Sequence, residues 1–132
     1  MSVAQDLYEG VDTPDGHVTF VDVPGLLDRP HPYGDDAGEY GDNPLRFAVL
    51  CRIACELALE SSDVVHLHDW QAALTAIYLG GRRPLVHTVH NLGYQGHVPG
   101  TRVQDLGLGD ALGMLDQVDL HAGHVNAMKH GI

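Results

Sequence analysis

The chain has 132 residues, with 18 Asp and Glu against 7 Lys and Arg, and its formal net charge is -11 when the ten histidines are counted as neutral. This length allows one modest domain. An acidic chain without clustered Lys and Arg lacks the charge that binds phosphate backbones or anionic lipids, which excludes nucleic-acid and membrane-surface partners. The chain starts with no apolar leader and has no apolar run of about 18 residues, which predicts a cytoplasmic protein.

The first third of the chain is rich in turn-forming residues. Residues 1–16 are polar, and we expect a loosely ordered lead-in with a short strand near residues 6–9. Residues 17–23 (HVTFVDV) are rich in β-branched side chains and predict a strand. Residues 24–43 hold three prolines and several acidic side chains, which predicts a long surface loop. A loop longer than about 15 residues in a compact domain is usually functional or disordered.

Strand and helix signals alternate in the middle of the chain. Asn43 is predicted to cap a helix that has Pro44 in its first turn and extends to about Glu60. The following segments predict a strand at 64–67, a helix at 71–79 and a strand at 85–89, with two short helices near 103–108 and 124–130. This alternation favours an α/β fold with a parallel sheet. Cys51 and Cys55 lie four residues apart in the long helix, where small buried side chains are the ordinary interpretation.

Histidines cluster where the two predicted middle strands end. His66 and His68 share one side of the first strand, and His87 and His90 flank the end of the second. Parallel strands present their carboxyl ends at one edge of the sheet, where ligands bind. With Asp69 beside them, these imidazoles could form a metal site. The alternative is that they are hydrogen-bonded core histidines, because no Glu or Cys completes a familiar ligand spacing.

The segment after the second of these strands favours neutral hydrogen bonding. Residues 90–96 (HNLGYQG) combine two glycines, which allow close backbone approach, with side chains that donate and accept without charge. This inventory suits a sugar with many hydroxyl groups. An ordinary surface loop remains the alternative from composition alone.

Five motifs in one order give the chain a specific resemblance. They are DRPHPYGD (28–35), YGDNPLRFA (40–48), VVHLHDWQAAL (64–74), TVHNLGYQG (88–96) and VNAMKHGI (125–132). In their order and approximate spacing these motifs resemble the bacterial glycogen synthases and plant starch synthases. The resemblance covers residues 17–132.

The resemblance implies a fold and an activity. That family has the GT-B architecture of two facing Rossmann-like domains, and residues 17–132 resemble part of the amino-terminal one. It transfers glucose from ADP-glucose, or UDP-glucose in some members, to the non-reducing end of an α-1,4-glucan such as glycogen, with retention of configuration. The resemblance implies neither a metal nor a cofactor, and the choice of nucleotide stays open.

The resemblance also assigns roles to individual residues. Asp69 and His90 match catalytic positions, in the His-x-His-Asp-Trp motif and beside the donor glucose respectively. Tyr33 matches a tyrosine implicated in substrate binding. The remaining residues expected to line the cleft near donor and acceptor are Asn91, Tyr94 and Gln95. Asp42, Asn43 and Arg46 are expected to hold the long loop to its helix.

The chain departs from the family pattern at several points. No Lys-x-Gly-Gly-Leu loop precedes His17, and nothing follows Ile132 that resembles the second domain. Asp119 stands where the family commonly has Glu. We therefore expect a fragment of a glycogen or starch synthase that is inactive by itself. The alternative is a non-catalytic glucan-binding or assembly module that needs a partner to supply the second domain.

Overall fold

The computed structural model describes residues 8–132, and it opens with an antiparallel hairpin. Strand β1 (Tyr8–Thr13) pairs with β2 (Gly16–Val21), and Val11 lies opposite Val18. The predicted strand is therefore present, and its partner is the preceding segment, where the sequence predicted only a short strand near residues 6–9. A two-residue turn at Pro14 and Asp15 joins the strands, and Gly16 supplies the positive φ of 136° that closes it. Residues 1–7 of the predicted lead-in lie outside the described residues.

The long loop after the hairpin is mostly irregular, as predicted, and it is tied down. Two short strands, β3 (Gly34–Asp35) and β4 (Gly38–Glu39), pair within it. Arg46, almost fully buried at 3% exposure, donates from Nε to the carbonyl of Leu26 and from Nη1 to that of Pro32. These bonds hold the loop against the helix that follows, which is the arrangement expected for Arg46.

Helix α1 (Asn43–Ser61) begins where the sequence predicts, but Asn43 does not cap it. Asn43 is the first helical residue, and Asp42 takes the capping position without a side-chain bond to the helix. The Asn43 amide instead donates to the carbonyl of Tyr33 at 2.8 Å and accepts from Arg46 at 2.6 Å. These bonds to the loop replace the cap that its residue type predicts.

A strand, a helix and a second strand form the part of the fold that positions the candidate site. They are β5 (Val65–His68), α2 (Asp69–Leu79) and β6 (Leu85–Thr88), and the two strands pair in parallel with His68 opposite Thr88. Gly80 ends α2 in the left-handed conformation. The α/β class is confirmed. Among the described residues the parallel sheet has only these two strands, because the predicted first strand belongs to the hairpin.

The carboxyl-terminal quarter differs most from expectation. Instead of two short helices it contains β7 (His97–Pro99) paired with β8 (His124–Asn126), helix α3 (Gln117–His121), and 3-10 helices at Gly100–Leu106, Gly109–Met114 and Met128–Gly131. The helix predicted near 103–108 corresponds to the first 3-10 segment, and the one near 124–130 is wrong at its start. Val98 and Val125 explain the strands, since both pair and are buried.

The core lies between α1, α2 and the carboxyl-terminal segments. Its members are apolar or small side chains, among them Ala48, Leu74, Leu79, Val98 and Leu106. Cys51 and Cys55 are buried free thiols in this core, as expected, and burial raises the pKa of Cys51 to about 11. Among residues 8–132, none of the helices has the length and apolar content to cross a bilayer.

Candidate functional site

Asp69 sits where β5 turns into α2, in a strained conformation. It has φ of 54° and is the only described residue other than glycine with a positive φ. Non-glycine residues in that region cost free energy and cluster at functional sites. Its Oδ1 accepts the main-chain N–H of His90 at 2.7 Å and that of Asn91 at 3.3 Å. These donors, with His90 first, hold the pKa of Asp69 below its ordinary value, so the carboxylate is charged at neutral pH.

His90 is held through its ring as well as through its main chain. Its Nε2 lies 2.9 Å from Nδ1 of His68, and the two rings are nearly parallel with centroids 5.2 Å apart. The ring of His66 follows on the other side of His68 at 4.2 Å, and its Nε2 bonds the Thr88 hydroxyl at 2.7 Å. Three imidazoles therefore form a row on the exposed face of the parallel strands.

His87 does not join this row. Alternation along β6 turns it to the other face, where its Nε2 lies 3.1 Å from the carbonyl of Asp69. Within residues 8–132, no three His, Cys, Asp or Glu side chains are placed so that they could hold a metal ion. The metal-site alternative therefore has no ligand set in the part of the chain that the structure describes.

Tyr33 reaches the site from the long loop. Its carbonyl accepts from the Asn43 side chain and from the Tyr40 main chain at 3.0 Å. Its ring lies 6.0 Å from that of Phe47, which in turn meets Trp70 edge-on at 4.8 Å. The loop is thus anchored on both sides of Tyr33, while the tyrosine ring remains 49% exposed.

A pocket of about 460 Å³ joins the loop to the strand ends. Four of the six predicted site residues line it: Tyr33, Asp69, Asn91 and Tyr94. Its other lining residues are Glu39, Asn43, Trp70 and Gln71. A pocket of this size is in the range of small-molecule sites.

A second pocket of about 370 Å³ adjoins the first. It shares Glu39, Asn43, Trp70 and Tyr94 with the first pocket and adds Gln95. The Gln95 amide donates to the carbonyl of Leu92 at 3.0 Å and accepts from Asn126 at 2.6 Å, so its position is fixed. Five of the six predicted residues therefore line one continuous cleft, and His90 is bonded to its wall through Asp69.

Glu39 and Trp70 line both pockets and were not predicted as site residues. Glu39 carried no sequence signal, because it is one of several acidic residues in the loop. Trp70 had one, since it directly follows Asp69 at the end of β5. The structure also shows why residue 96 is a glycine: it has φ of 66°, and a Cβ there would overlap the Trp70 indole.

The charges of this cleft are negative. Asp69 and Glu39 contribute carboxylates, and no Lys or Arg lines either pocket among the described residues. Polar neutral groups and aromatic rings make up much of the rest. This surface suits a polyhydroxyl ligand and is unsuited to a phosphate group.

Comparison with known proteins identifies the family to which the chain is similar. Residues 4–132 match the family model described as starch synthase catalytic domain. Glycogen synthase 2 of Agrobacterium fabrum is 43% identical, over 81% of this chain and 23% of its own length. Glycogen synthase 2 of Geobacter metallireducens is 36% identical, over 87% of this chain and 26% of its own length.

A solved structure resembles the chain as well. The catalytic domain of starch synthase IV from Arabidopsis thaliana, bound to ADP and acarbose, superposes with a TM-score of 0.71 and 26% identity over 94% of this chain. The match covers 28% of that chain. This chain therefore spans about a quarter of the length of the relatives that it matches.

Proposed function

Because this chain belongs to the starch synthase catalytic domain family, we propose that it carries the glucan-facing part of a glycosyl-transfer site. In the complete reaction, glucose passes from ADP-glucose to the non-reducing end of an α-1,4-glucan such as glycogen, with retention of configuration. The proposal includes the finer fold: residues 17–132 form part of a Rossmann-like amino-terminal domain of a GT-B transferase.

The observation that carries the proposal is the continuous cleft defined above. Tyr33 and Tyr94 are each about half exposed or more, and both line it. Aromatic faces of this kind pack against the C–H surfaces of sugar rings, while Asn91 can bond sugar hydroxyls. A glucan needs many directional hydrogen bonds and no ionic partner, which agrees with the cleft's lining.

Asp69 and His90 are proposed to act on the glucosyl group being transferred. Retaining transfer develops positive charge on the sugar, and a fixed carboxylate near that charge lowers its energy without reorganisation. Asp69 fits this role because one oxygen is bound by two N–H groups and its pKa is low. His90 is proposed to orient the ring by bonding a hydroxyl.

The diphosphate of ADP-glucose is proposed to bind elsewhere. Diphosphate recognition uses Arg, Lys or helix N-termini, whereas the described lining of this cleft offers two carboxylates. The cations that neutralise the leaving group are therefore proposed to come from parts of the family's catalytic unit that this chain does not cover.

Titration of the ¹⁵N-labelled chain with maltoheptaose, followed by NMR, tests the proposal. We expect amide shifts at residues 91–96 and around Tyr33, with little response to cellohexaose, whose β-linkages give another chain shape. Tyr33→Ala and Tyr94→Ala should each weaken binding about tenfold or more. Phe20→Ala removes an exposed aromatic ring of the hairpin that lines neither pocket, and it should bind like the unmodified chain.

Three outcomes would count against the glucan-facing site. They are equal shifts with both oligosaccharides, shifts confined to another surface, and no shifts at millimolar sugar. Binding by the chain without elongation activity in a reconstituted enzyme would favour the alternative of a non-catalytic glucan-binding module.

A further inference from the structure

We propose that His68 is a positioning residue that fixes the ring orientation of His90 and couples the tautomer of His90 to its own. The contact between His68 Nδ1 and His90 Nε2, at 2.9 Å, is the observation behind it. The importance of the His90 orientation for a bound sugar rests on the function proposed above. The contact between the two rings is independent of that proposal.

Two consecutive residues at the end of β5 hold His90 at different points. Asp69 binds its main-chain N–H, and His68 meets its ring. Asp69 can do so because its left-handed backbone turns the carboxylate towards the next strand end. His68, one residue earlier, is exposed at the end of β5 and meets the ring of His90 from there.

The main-chain bond to Asp69 does not by itself fix the orientation of the His90 ring. An exposed imidazole rotates about two side-chain bonds, and fixing its backbone restricts neither of them fully. His68 supplies an in-plane hydrogen-bond partner, because the 5.2 Å centroid distance and the 15° interplanar angle place the two rings nearly side by side. The row is continued by His66, which is itself bound to Thr88, so His68 has support on its far side.

The shared bond links the tautomers of the two rings. A hydrogen bond between two ring nitrogens needs one N–H and one bare nitrogen. When His90 Nε2 is bare, the hydrogen of the neutral ring is on Nδ1, and the reverse holds when Nε2 carries it. The tautomers of the two rings are therefore coupled: when His68 Nδ1 carries a hydrogen, the remaining nitrogen of His90 donates towards a ligand hydroxyl, and when His68 Nδ1 is bare, that nitrogen accepts.

Two further titratable groups lie against this bond. They are the Asp69 carboxylate, which accepts the main-chain N–H of His90, and the His66 imidazole, which is tilted by 34° against the His68 ring. Protonation of both rings would place two N–H donors against each other and break the bond.

Long-range ¹H–¹⁵N NMR of the histidine rings in the 132-residue chain, without any sugar and at pH 8, tests the inference. We expect the two facing nitrogens to give one protonated and one bare ¹⁵N signal. In His68→Ala the tautomer ratio of His90 should shift by about fivefold, the bias that one hydrogen bond supplies. His68→Gln should keep Nε2 of His90 hydrogen-bonded, because an amide can donate to it or accept from it.

Two controls separate positioning from damage to the fold. His31→Ala removes an exposed histidine from the loop and should leave the His90 ring signals unchanged. The amide of His90 should keep its shift in His68→Gln if the Asp69 bond survives. Unchanged His90 ring signals in His68→Ala, or two facing nitrogens with the same signal type in the unmodified chain, would overturn the inference. Because no sugar is present, failure of maltoheptaose to bind would leave this result standing.

Discussion

Oδ1 of Asp69 lies 2.7 Å from the main-chain nitrogen of His90, although 21 residues separate the two along the chain. The bond joins the end of one parallel strand to the segment that follows the other. The Asp69 carboxylate therefore has two roles: it accepts the His90 N–H, and it contributes negative charge to the cleft. Substitutions at Asp69 can separate the hydrogen bond from the charge.

Asp69→Asn should keep the bond and remove the charge. Asn tolerates the left-handed backbone well, and its side-chain oxygen can still accept the His90 N–H. Asp69→Ala removes the acceptor, and hydrogen exchange of the His90 and Asn91 amides should then accelerate about fivefold. Exchange measured by NMR checks this, with Asp12→Asn in the hairpin as the control. Equal acceleration in Asn and Ala variants would show that charge alone maintains the bond.

The lowered pKa of Asp69 also predicts a pH dependence. A carboxyl whose pKa is lower in the folded chain stabilises the fold above its unfolded value, about 3.9, and this contribution is lost as the pH falls through the folded value. The stability difference between the unmodified chain and Asp69→Asn should therefore narrow below about pH 4. Urea unfolding between pH 3 and 7 measures it. A difference that stays constant over this range would contradict the assignment.

Arg46→Lys should loosen the loop that presents Tyr33. The guanidinium satisfies two loop carbonyls and the Asn43 side chain from a nearly fully buried position, and an ammonium group has no such fork of donors. We expect a loss of about 2 to 4 kcal/mol in the free energy of unfolding. Arg52→Lys, at an exposed position of the same helix, should cost under about 0.5 kcal/mol. Similar losses for both would argue against the anchoring role.

Gly96→Ala should disturb the cleft through Trp70. The new Cβ meets the indole, and alanine at φ of 66° is strained by about 1 to 2 kcal/mol. Gly113→Ala is the matched control, because its Cβ meets no atom within 4 Å and its φ is ordinary. Thermal unfolding and Trp70 fluorescence, from the chain's one tryptophan, should both change in Gly96→Ala alone. An unperturbed Trp70 would show that the indole is not held where the structure has it.

The 132-residue chain alone should not elongate glycogen from ADP-glucose. No cation lines the cleft among the described residues, so the departing diphosphate has no counter-charge there. Incorporation of radiolabelled glucose into glycogen is the measurement, with a full-length glycogen synthase as the positive control. Incorporation above background by the purified chain would refute this expectation.

Local signals explain which elements the sequence predicts well. The signals for α1, which are Pro44 and its apolar residues, all lie within the helix itself. The signals for β5 and β6, which are their Val and Leu residues, likewise lie within each strand. The hairpin is predicted only in part, because Tyr8–Thr13 has little strand character until Val18 and its neighbours pair with it. The 3-10 segments near the carboxyl terminus have no helical periodicity to detect.

The candidate site also has a part that the sequence predicts and a part that it does not. The family resemblance predicts five residues that line the cleft, namely Tyr33, Asp69, Asn91, Tyr94 and Gln95. The contact between His68 and His90 depends on the strand register, which sets His68 opposite Thr88. A register is a long-range property, and neither spacing nor residue type reveals it.

The bond from Asp69 to His90 has a consequence for the order of folding. Between its two ends lie the whole of α2 and β6, so the bond closes only after both have docked in register. A chain with a partly formed sheet lacks it. Exchange protection of the His90 amide should therefore appear late during refolding. The candidate site is complete only after β5, α2 and β6 have all formed and packed together.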